Sequence, residues 1–255
     1  ATLRSQTLAS SNCAYLRLGL TVGLSNVAET TEALGVTTDL SDLPISMPLG
    51  PKDITPLEMA TAYATFANDG LQVDPIFIER VEDGDGTVLF ENTPATERAI
   101  SVQSARLVNQ VLEANVRGGA GTRARLENQV AAGKTGTAQD FSDAWFVGYT
   151  PHLATAVWMG NPDEQIPMTG VDRGAMGRGN VFGGSLPAMI WGALNAAYHA
   201  GLEPLTFEAP EWTRAGTRIR TDQEEDDYRE LIESFCGVDN EDAEIDTDED
   251  GVVDY

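Results

Sequence analysis

Two apolar runs joined by a very short turn constrain the fold of this chain more than any other feature. Residues 143–149 and 153–159 carry apolar side chains at consecutive positions, and Thr150-Pro151 joins them. This spacing predicts two adjacent antiparallel strands. Because apolar residues do not alternate with polar ones, we expect the sheet to be covered on both faces.

The sequence Gly133-Lys134-Thr135-Gly136-Thr137 stands directly before these strands. A Gly-Lys-Thr sequence also occurs in phosphate-binding loops, which require a glycine five residues before the Gly-Lys pair and a helix after it. This chain has an asparagine at that position and strand-like residues after the motif. A lysine followed by two threonines is instead suited to holding a carboxylate.

Four segments have the spacing or the cap residues of helices, and they flank these strands in the sequence. Thr55, Pro56 and Glu58 form a capping box with proline in the first turn. Between the second and third helices, a hairpin is predicted over 76–91. The predicted helices span residues 10–23, 56–67, 104–116 and 185–200. The expected fold class is α/β (α+β), with a central antiparallel sheet flanked by helices.

The charge distribution divides the chain into two parts. The net charge is -24, and residues 222–255 hold 16 acidic side chains and one base. We therefore predict a globular domain over 1–205 and an acidic, disordered tail over 206–255. So acidic a surface repels phosphates, which argues against nucleic acid as a partner.

The acidic tail contains the opening of a calcium loop. Asp246, Asp248 and Asp250 have the required spacing, glycine follows, and Asp254 is a further oxygen donor. The bidentate glutamate of the twelfth position would lie beyond the last residue, and acidic composition alone can produce such a match. We assign no metal and no cofactor.

The cysteines and histidines carry no recognisable site. Cys13 lies in an apolar helix-like segment and Cys236 in the acidic tail, so the residues allow a disulfide but do not favour one. His152 and His199 are far apart in the chain, show no ligand spacing and are interpreted as structural. No signal peptide or apolar stretch of membrane-spanning length is found.

Two motifs carry a family resemblance. Ser10-Ser11-Asn12 and the Lys134 motif resemble the Ser-x-Asn and Lys-Thr-Gly elements of serine penicillin-recognising enzymes. Their flanks most resemble the transpeptidase domain of class A high-molecular-weight penicillin-binding proteins, over about residues 5–200. The flanks are LG at 49–50, TPLEMA at 55–60, YATFANDG at 63–70, DAWFVGYTP at 143–151, VWMG at 157–160, and Gly183-Gly184 through Pro187 to Trp191.

The resemblance implies catalytic roles for three residues. Ser10 would relay a proton between the neighbourhood of the nucleophile and the leaving amine. Asn12 would orient the lysine and bond the substrate's amide. Lys134 would supply the positive field for a substrate carboxylate. The implied fold is that of the penicilloyl-serine transferases.

The resemblance also implies a substrate and the residues that bind it. The substrate would be a peptidoglycan stem peptide ending in D-alanyl-D-alanine, which β-lactams mimic. Thr135 and Thr137 would donate hydroxyl hydrogen bonds to its carboxylate, and the Thr137 N–H would stabilise the oxyanion. Gly136 would let the strand edge approach the peptide.

The chain departs from the family at the nucleophile. The family's Ser-x-x-Lys motif is missing, because Leu49 and Ala131 stand three residues before the two lysines, Lys52 and Lys134. We therefore expect a fragment without turnover, lacking the N-terminal elements of its fold. The upstream part would carry the serine and an anchor at the extracytoplasmic face of a bacterial membrane.

Other readings of the chain remain open. A D,D-carboxypeptidase or β-lactamase of the same superfamily would share these motifs, and a non-catalytic module could bind stem peptides without reacting. The tail alone would suggest a calcium-organised surface module. Taken singly, Ser10 and Ser11 would be helix caps and Lys134 a solvated loop lysine.

Overall fold

The computed structural model describes residues 2–211 and Cys236, and the predicted calcium motif lies outside this part. The helices are α1 (Leu3–Ala9), α2 (Asn12–Val22), α3 (Leu24–Ala33), α4 (Pro56–Ala67), α5 (Val102–Gly118) and α6 (Leu186–Tyr198). The strands are β1 (Leu71–Val73), β2 (Arg80–Glu82), β3 (Val88–Glu91), β4 (Thr96–Arg98), β5 (Ala132–Thr137), β6 (Ala144–Tyr149), β7 (Ala154–Met159), β8 (Val171–Asp172) and β9 (Arg178–Gly179).

The central sheet consists of β5, β6 and β7 in that order, and both pairings are antiparallel. Helix α5 packs on β5, whereas α4 and α6 both pack on β6 and β7. The two predicted strands are confirmed to within one residue at their starts. The predicted class, an antiparallel sheet flanked by helices, is confirmed.

The middle strand is buried on both faces. Phe146 meets Trp191 of α6 edge to face at 5.4 Å, and Tyr149 meets Tyr63 of α4 at 6.0 Å. These aromatic contacts lie on opposite sides because neighbouring positions of a strand alternate. The prediction of two-sided cover therefore holds for β6. It holds for β7 as well, since α4 and α6 both pack on this strand, although its six residues are only half-buried because the strand lies at the sheet edge.

The predicted helix over 10–23 is confirmed as α2, to within two residues at its start and one at its end. Helix α1, which was not predicted, precedes it, and Ser10 and Ser11 separate the two helices. The break occurs because Ser10 has left-handed backbone angles (φ 55°, ψ 47°), which interrupt a right-handed helix. Helix α3, which was not predicted, follows at Gly23, whose φ is 94°.

The capping box of α4 is confirmed and does more than start the helix. The N–H of Glu58 donates to Thr55 Oγ1 at 3.3 Å, and the N–H of Thr55 donates to Glu58 Oε2 at 3.0 Å. Glu58 Oε1 also accepts from the N–H groups of Thr37 and Thr38, each at 2.8 Å. Burial raises the pKa of Glu58, but the hydrogen bonds from Thr55 and Thr37 outweigh it and hold the pKa well below its usual value.

Cys13 and Cys236 form a disulfide across 223 residues, with Cα atoms 5.6 Å apart. The sequence-based preference against pairing is therefore wrong, because spacing along a chain does not reveal where a distant segment returns. Residues 206–211 also contact the globular domain. The ring centroids of Phe207 and Tyr149 lie 5.3 Å apart, and the Glu211 N–H donates a hydrogen bond to a side-chain oxygen of α5. The domain boundary at 205 and the disorder of the tail stay predictions.

Replacing Glu58 tests the hydrogen bonds between its carboxylate, on α4, and residues 37–38. We expect Glu58→Gln to lower the free energy of unfolding at pH 7 by about 1–3 kcal/mol, the range for hydrogen bonds to a charged group. A depressed folded pKa stabilises the protein above the unfolded pKa of about 4.5 and less below it. The loss in free energy of unfolding of Glu58→Gln relative to wild type, measured with urea, should therefore become smaller as the pH falls below 4.5. Glu29→Gln, at an exposed glutamate, is the control. A loss in Glu58→Gln that is the same at every pH would contradict a lowered pKa of Glu58.

Breaking the disulfide tests whether the distant cysteine stabilises the body. We expect Cys13→Ser to lower the free energy of unfolding by about 2–5 kcal/mol, because the bond restricts a very long loop of the unfolded chain. Cys236→Ser and the double variant should show the same loss, since all three remove one bond. If a reductant leaves the urea midpoint of the wild-type chain unchanged, the bond does not stabilise the fold.

Candidate functional site

The first half of the site is the turn between α1 and α2. The N–H of Ser10 donates to the Thr7 carbonyl at 3.1 Å and closes α1, while Ser11 caps α2 by accepting from the Ala14 N–H at 3.3 Å. Ser11 is thus an N-cap, as expected when the residue is considered apart from the Lys134 motif. Ser10 is not an N-cap but the C-cap of α1; it is an exposed residue whose backbone is left-handed, a conformation that glycine adopts at less cost.

The second half is β5, which lies at an edge of the sheet. The N–H of Ala138 donates to the Asp143 carbonyl. Backbone hydrogen bonds to one neighbouring strand recur at every second residue, so Lys134 and Gly136 also form backbone hydrogen bonds with β6. The intervening Thr135 and Thr137 direct their N–H and C=O groups to the outer edge. The Thr137 N–H therefore faces the outer edge, and its role as an oxyanion donor stays a prediction.

Ser10 and Lys134 meet although 124 positions separate them in the chain. Lys134 Nζ donates to Ser10 Oγ at 2.7 Å and to the Thr135 carbonyl at 3.1 Å. Lys134 is half-buried on β5 and is not a solvated loop lysine. Burial lowers the pKa of Lys134 from 10.5 to about 8, because desolvation disfavours the charged amine.

The remaining predicted residues lie near this pair in different ways. Asn12 is exposed in the first turn of α2, and in the described part of the chain it makes no hydrogen bond to Lys134. Thr137 Oγ1 accepts from the Gly183 N–H at 3.0 Å, which leaves the hydroxyl hydrogen for another acceptor. Thr135 is half-buried on the same strand.

Gly183, in the loop before α6, packs closely against Gly136. A Cβ at Gly183 would lie 2.6 Å from the Gly136 carbonyl oxygen and 2.3 Å from that of Trp145. Gly183 therefore lets the loop before α6 pack directly on the strand pair. A Cβ at Gly136 itself would meet the Trp145 side chain at 3.2 Å.

Sequence reasoning missed the residue that fixes β5 in place. Asn115 of α5 is fully buried, and its Nδ2 donates to the Gly133 carbonyl at 2.8 Å, one residue before Lys134. Its Oδ1 accepts from the Ala120 N–H at 3.2 Å. The available signal was an asparagine at the helical spacing that follows Val108 and Leu112, where an apolar residue is usual.

The histidines are neighbours in space, with ring centroids 5.4 Å apart, although they are distant in sequence. His199 bonds Thr150 Oγ1 and the Asn195 carbonyl, and His152 bonds the Glu203 carbonyl. These contacts fasten the end of α6 to the turn between β6 and β7. Among residues 2–211 and Cys236 no group of three potential metal ligands is found, and none of the helices there is long and apolar enough to cross a membrane.

These elements define a class of protein: a helical and antiparallel-sheet fold in which a serine at a helix junction contacts a lysine on an edge strand. The family model described as the penicillin binding protein transpeptidase domain matches residues 1–165. Penicillin-binding protein 1A of Aquifex aeolicus is 39% identical over 159 residues, 62% of this chain and 22% of the relative. The protein of the same name from Clostridium tetani is 32% identical over 222 residues, 82% of this chain and 27% of the relative.

The solved structures agree. PonA1 of Mycobacterium tuberculosis in complex with penicillin V has a TM-score of 0.74 at 28% identity, covering 83% of this chain and 60% of that chain. Penicillin-binding protein 1A of Haemophilus influenzae has the same fold, with a TM-score of 0.70, 24% identity and coverages of 82% and 36%. The chain belongs to the transpeptidase domain family of penicillin-binding proteins. Its relatives are class A homologues called 1A and 1B, of which it spans about a quarter in length.

The buried amine of Lys134 predicts a stability change at alkaline pH. Between pH 8 and 10.5 the unfolded chain holds a proton that the folded chain has released, so stability rises with pH in this window. Relative to Lys134→Met, wild-type stability should therefore increase across it by up to about 3 kcal/mol. Thermal unfolding at a series of pH values measures this increase. The stability of Lys52→Met, at the other lysine, should change with pH as that of wild type does. If the difference in stability between wild type and Lys134→Met does not change with pH, the pKa of Lys134 is not lowered.

Proposed function

We propose that this chain is part of a peptidoglycan D,D-transpeptidase that cross-links stem peptides through a seryl acyl-enzyme and is blocked by β-lactams. The observation that carries the proposal is the 2.7 Å contact of Lys134 Nζ with Ser10 Oγ beside the outward-facing edge of β5. Membership of the transpeptidase family and the PonA1 complex with penicillin V support it.

The edge of β5 provides donors for a D-alanyl-D-alanine terminus. Lys134 supplies positive charge for the terminal carboxylate, and the hydroxyls of Thr135 and Thr137 donate hydrogen bonds to it. The Thr137 N–H, which faces the outer edge, stabilises the oxyanion of the scissile carbonyl. One such donor contributes about two to three powers of ten in rate.

The reaction needs a nucleophile that this sequence does not contain. A serine of a Ser-x-x-Lys motif upstream attacks the carbonyl of the penultimate D-alanine, and the peptide C–N bond breaks. Ser10 passes a proton to the leaving amine, and its contact with Lys134 keeps the hydroxyl oriented for that transfer. Asn12, exposed at the start of α2, bonds the substrate's amide. No cofactor takes part, and the acceptor is an amine of a neighbouring stem peptide.

Two features support a location outside the cytoplasm. A disulfide such as Cys13–Cys236 persists in oxidising compartments outside the cytoplasm. Peptidoglycan also lies outside the cytoplasm. We therefore place the protein at the extracytoplasmic face of a bacterial membrane, held there by an upstream anchor.

Labelling with a fluorescent penicillin, followed by a denaturing gel, tests this function. The 255-residue chain should stay unlabelled, because the penicillin carbonyl is positioned for the upstream serine. The chain extended through its upstream reading frame should be labelled covalently. In the extended protein Lys134→Met should slow acylation at least about 100-fold, as expected for a lost electrostatic contact in the transition state. Lys52→Met should leave the rate unchanged.

The other outcomes separate the rival functions. An extended chain that binds stem peptide but is never acylated would be a binding module. An extended chain that is acylated and releases free acid without an acceptor amine would be a carboxypeptidase or β-lactamase. Either result would overturn the transpeptidase proposal.

A further inference from the structure

Residues 203–211, which we call the strap, contact the rest of the fold at every second position. The Glu203 carbonyl accepts from His152 Nε2 at 3.0 Å, and the Ala209 carbonyl accepts from Arg106 Nη1 at 3.4 Å. The contacted positions are 203, 205, 207, 209 and 211. Because alternate residues of an extended chain face the same side, the strap lies against the fold as an extended peptide lies in a binding groove.

Two glutamines each bind the backbone of one strap residue through both ends of the side-chain amide. Gln129 Nε2 donates to the Leu205 carbonyl at 2.7 Å, and Gln129 Oε1 accepts from the Leu205 N–H at 3.1 Å. Gln103 forms the same pair of bonds with Glu211, whose N–H donates to Gln103 Oε1 at 2.7 Å. These bonds recognise backbone groups, which every residue except proline carries. They therefore suit any extended peptide and not this sequence alone.

One side chain of the strap enters the fold. Phe207 is half-buried, and its ring meets that of Tyr149 edge to face at a centroid distance of 5.3 Å. Tyr149 is fixed from below, because its hydroxyl donates to Asn109 Oδ1 at 2.6 Å and its ring contacts Tyr63. The surface that receives Phe207 is thus held in place by the core. It selects an aromatic residue at the centre of the bound segment.

Arg106 adds a preference for charge. Its Nε and Nη2 donate to the two carboxylate oxygens of Asp69 at 3.0 and 2.7 Å, which leaves Nη1 for the Ala209 carbonyl. The hydrogen bond to Asp69, with smaller effects from the charges of Glu208 and Glu211, raises the pKa of Arg106. The guanidinium therefore favours acidic residues after the aromatic one.

We infer that Gln103, Arg106, Gln129 and Tyr149 form a peptide-binding groove, which the strap occupies in cis and a segment of another protein can occupy in trans. Its ligand class is an extended peptide with one aromatic residue that is followed directly by an acidic residue. In such sites main-chain hydrogen bonds provide affinity and a side-chain contact provides specificity. This binding site goes beyond the proposed transpeptidation and uses none of the residues assigned to it.

The strap is a competitor for any ligand in trans. A short tether gives a bound segment an effective concentration in the millimolar range, so a free peptide binds well only where the strap is weakened. The strap of a second copy meets the same competition, and a net charge of -24 on each chain repels the copies. We therefore assign the ligand in trans to another protein.

Binding of a fluorescein-labelled nonapeptide with the sequence of residues 203–211, measured by fluorescence anisotropy, tests the groove. Phe207→Ala in the 255-residue chain removes the aromatic contact of the strap and so weakens the competitor in cis. We expect this variant to bind the nonapeptide at least about tenfold more tightly than wild type does. A nonapeptide that itself carries Phe207→Ala should bind this variant at least about tenfold more weakly, because it lacks the ring.

Two further variants, made in the Phe207→Ala chain, locate the site. Adding Gln129→Leu removes both backbone hydrogen bonds of that side chain and should weaken peptide binding at least about tenfold. Adding Gln139→Leu, at an exposed glutamine, should leave the affinity unchanged. Circular dichroism of each variant establishes that it is folded.

Hydrogen exchange followed by NMR tests the docked strap in the wild-type chain. The N–H groups of Leu205 and Glu211 donate to the two glutamines, whereas Thr206 and Glu208 lie between the contacted positions. We expect the N–H groups of Leu205 and Glu211 to exchange more slowly than those of Thr206 and Glu208.

Several results would overturn the groove. If wild type and Phe207→Ala bind the nonapeptide equally, or if neither binds it, strap and peptide do not share a site. Unchanged binding after Gln129→Leu would place the peptide elsewhere, and equal exchange at the four N–H groups would mean that the strap is not docked. A dimer of the wild-type chain in sedimentation that Phe207→Ala abolishes would make a second copy the occupant. None of these results depends on penicillin labelling, so failure of the transpeptidase proposal and failure of the groove are distinguishable.

Discussion

The antiparallel register between β5 and β6 is the constraint on which the rest of this structure depends. Lys134 lies opposite Val147 in that register, and a slip of one residue would turn its side chain to the other face of the sheet. Two features oppose a slip. β6 is buried on both faces by aromatic contacts, and the buried amide of Asn115 holds the Gly133 carbonyl. The position of the amine is therefore set by the packing of β6 and by the hydrogen bond to the residue before Lys134.

Glycines allow the layers around this register to approach closely. A Cβ at Gly133 would lie 2.9 Å from the Val147 carbonyl oxygen, and one at Gly148 would lie 2.9 Å from the Ala132 carbonyl oxygen. A Cβ at Gly183 would lie 2.6 Å from the Gly136 carbonyl oxygen, so Gly183 lets the loop before α6 approach the strand pair. Gly136 itself has a packing role that is independent of any substrate, because a Cβ there would lie 3.2 Å from the Trp145 side chain.

The contact between Ser10 and Lys134 combines two unfavourable features. The serine holds a left-handed backbone, and the lysine is partly removed from water without an ion-pair partner in the described part of the chain. Each feature costs stability by itself. Together they create a hydroxyl next to an amine whose pKa lies close to neutral pH, which is a requirement of proton transfer at neutral pH.

The sequence by itself determined the local elements and the identity of the motifs. The capping box at Thr55 and the apolar runs of β6 and β7 are short-range signals, and the structure confirms both. Tertiary structure alone decided the pairing of Cys13 with Cys236, the contact of Ser10 with Lys134 and the role of Asn115. These depend on segments that are 18 to 223 residues apart, and local propensity carries no information about such distances. The left-handed Ser10 was likewise hidden, because an apolar pattern does not reveal the backbone angles of a residue that precedes the helix.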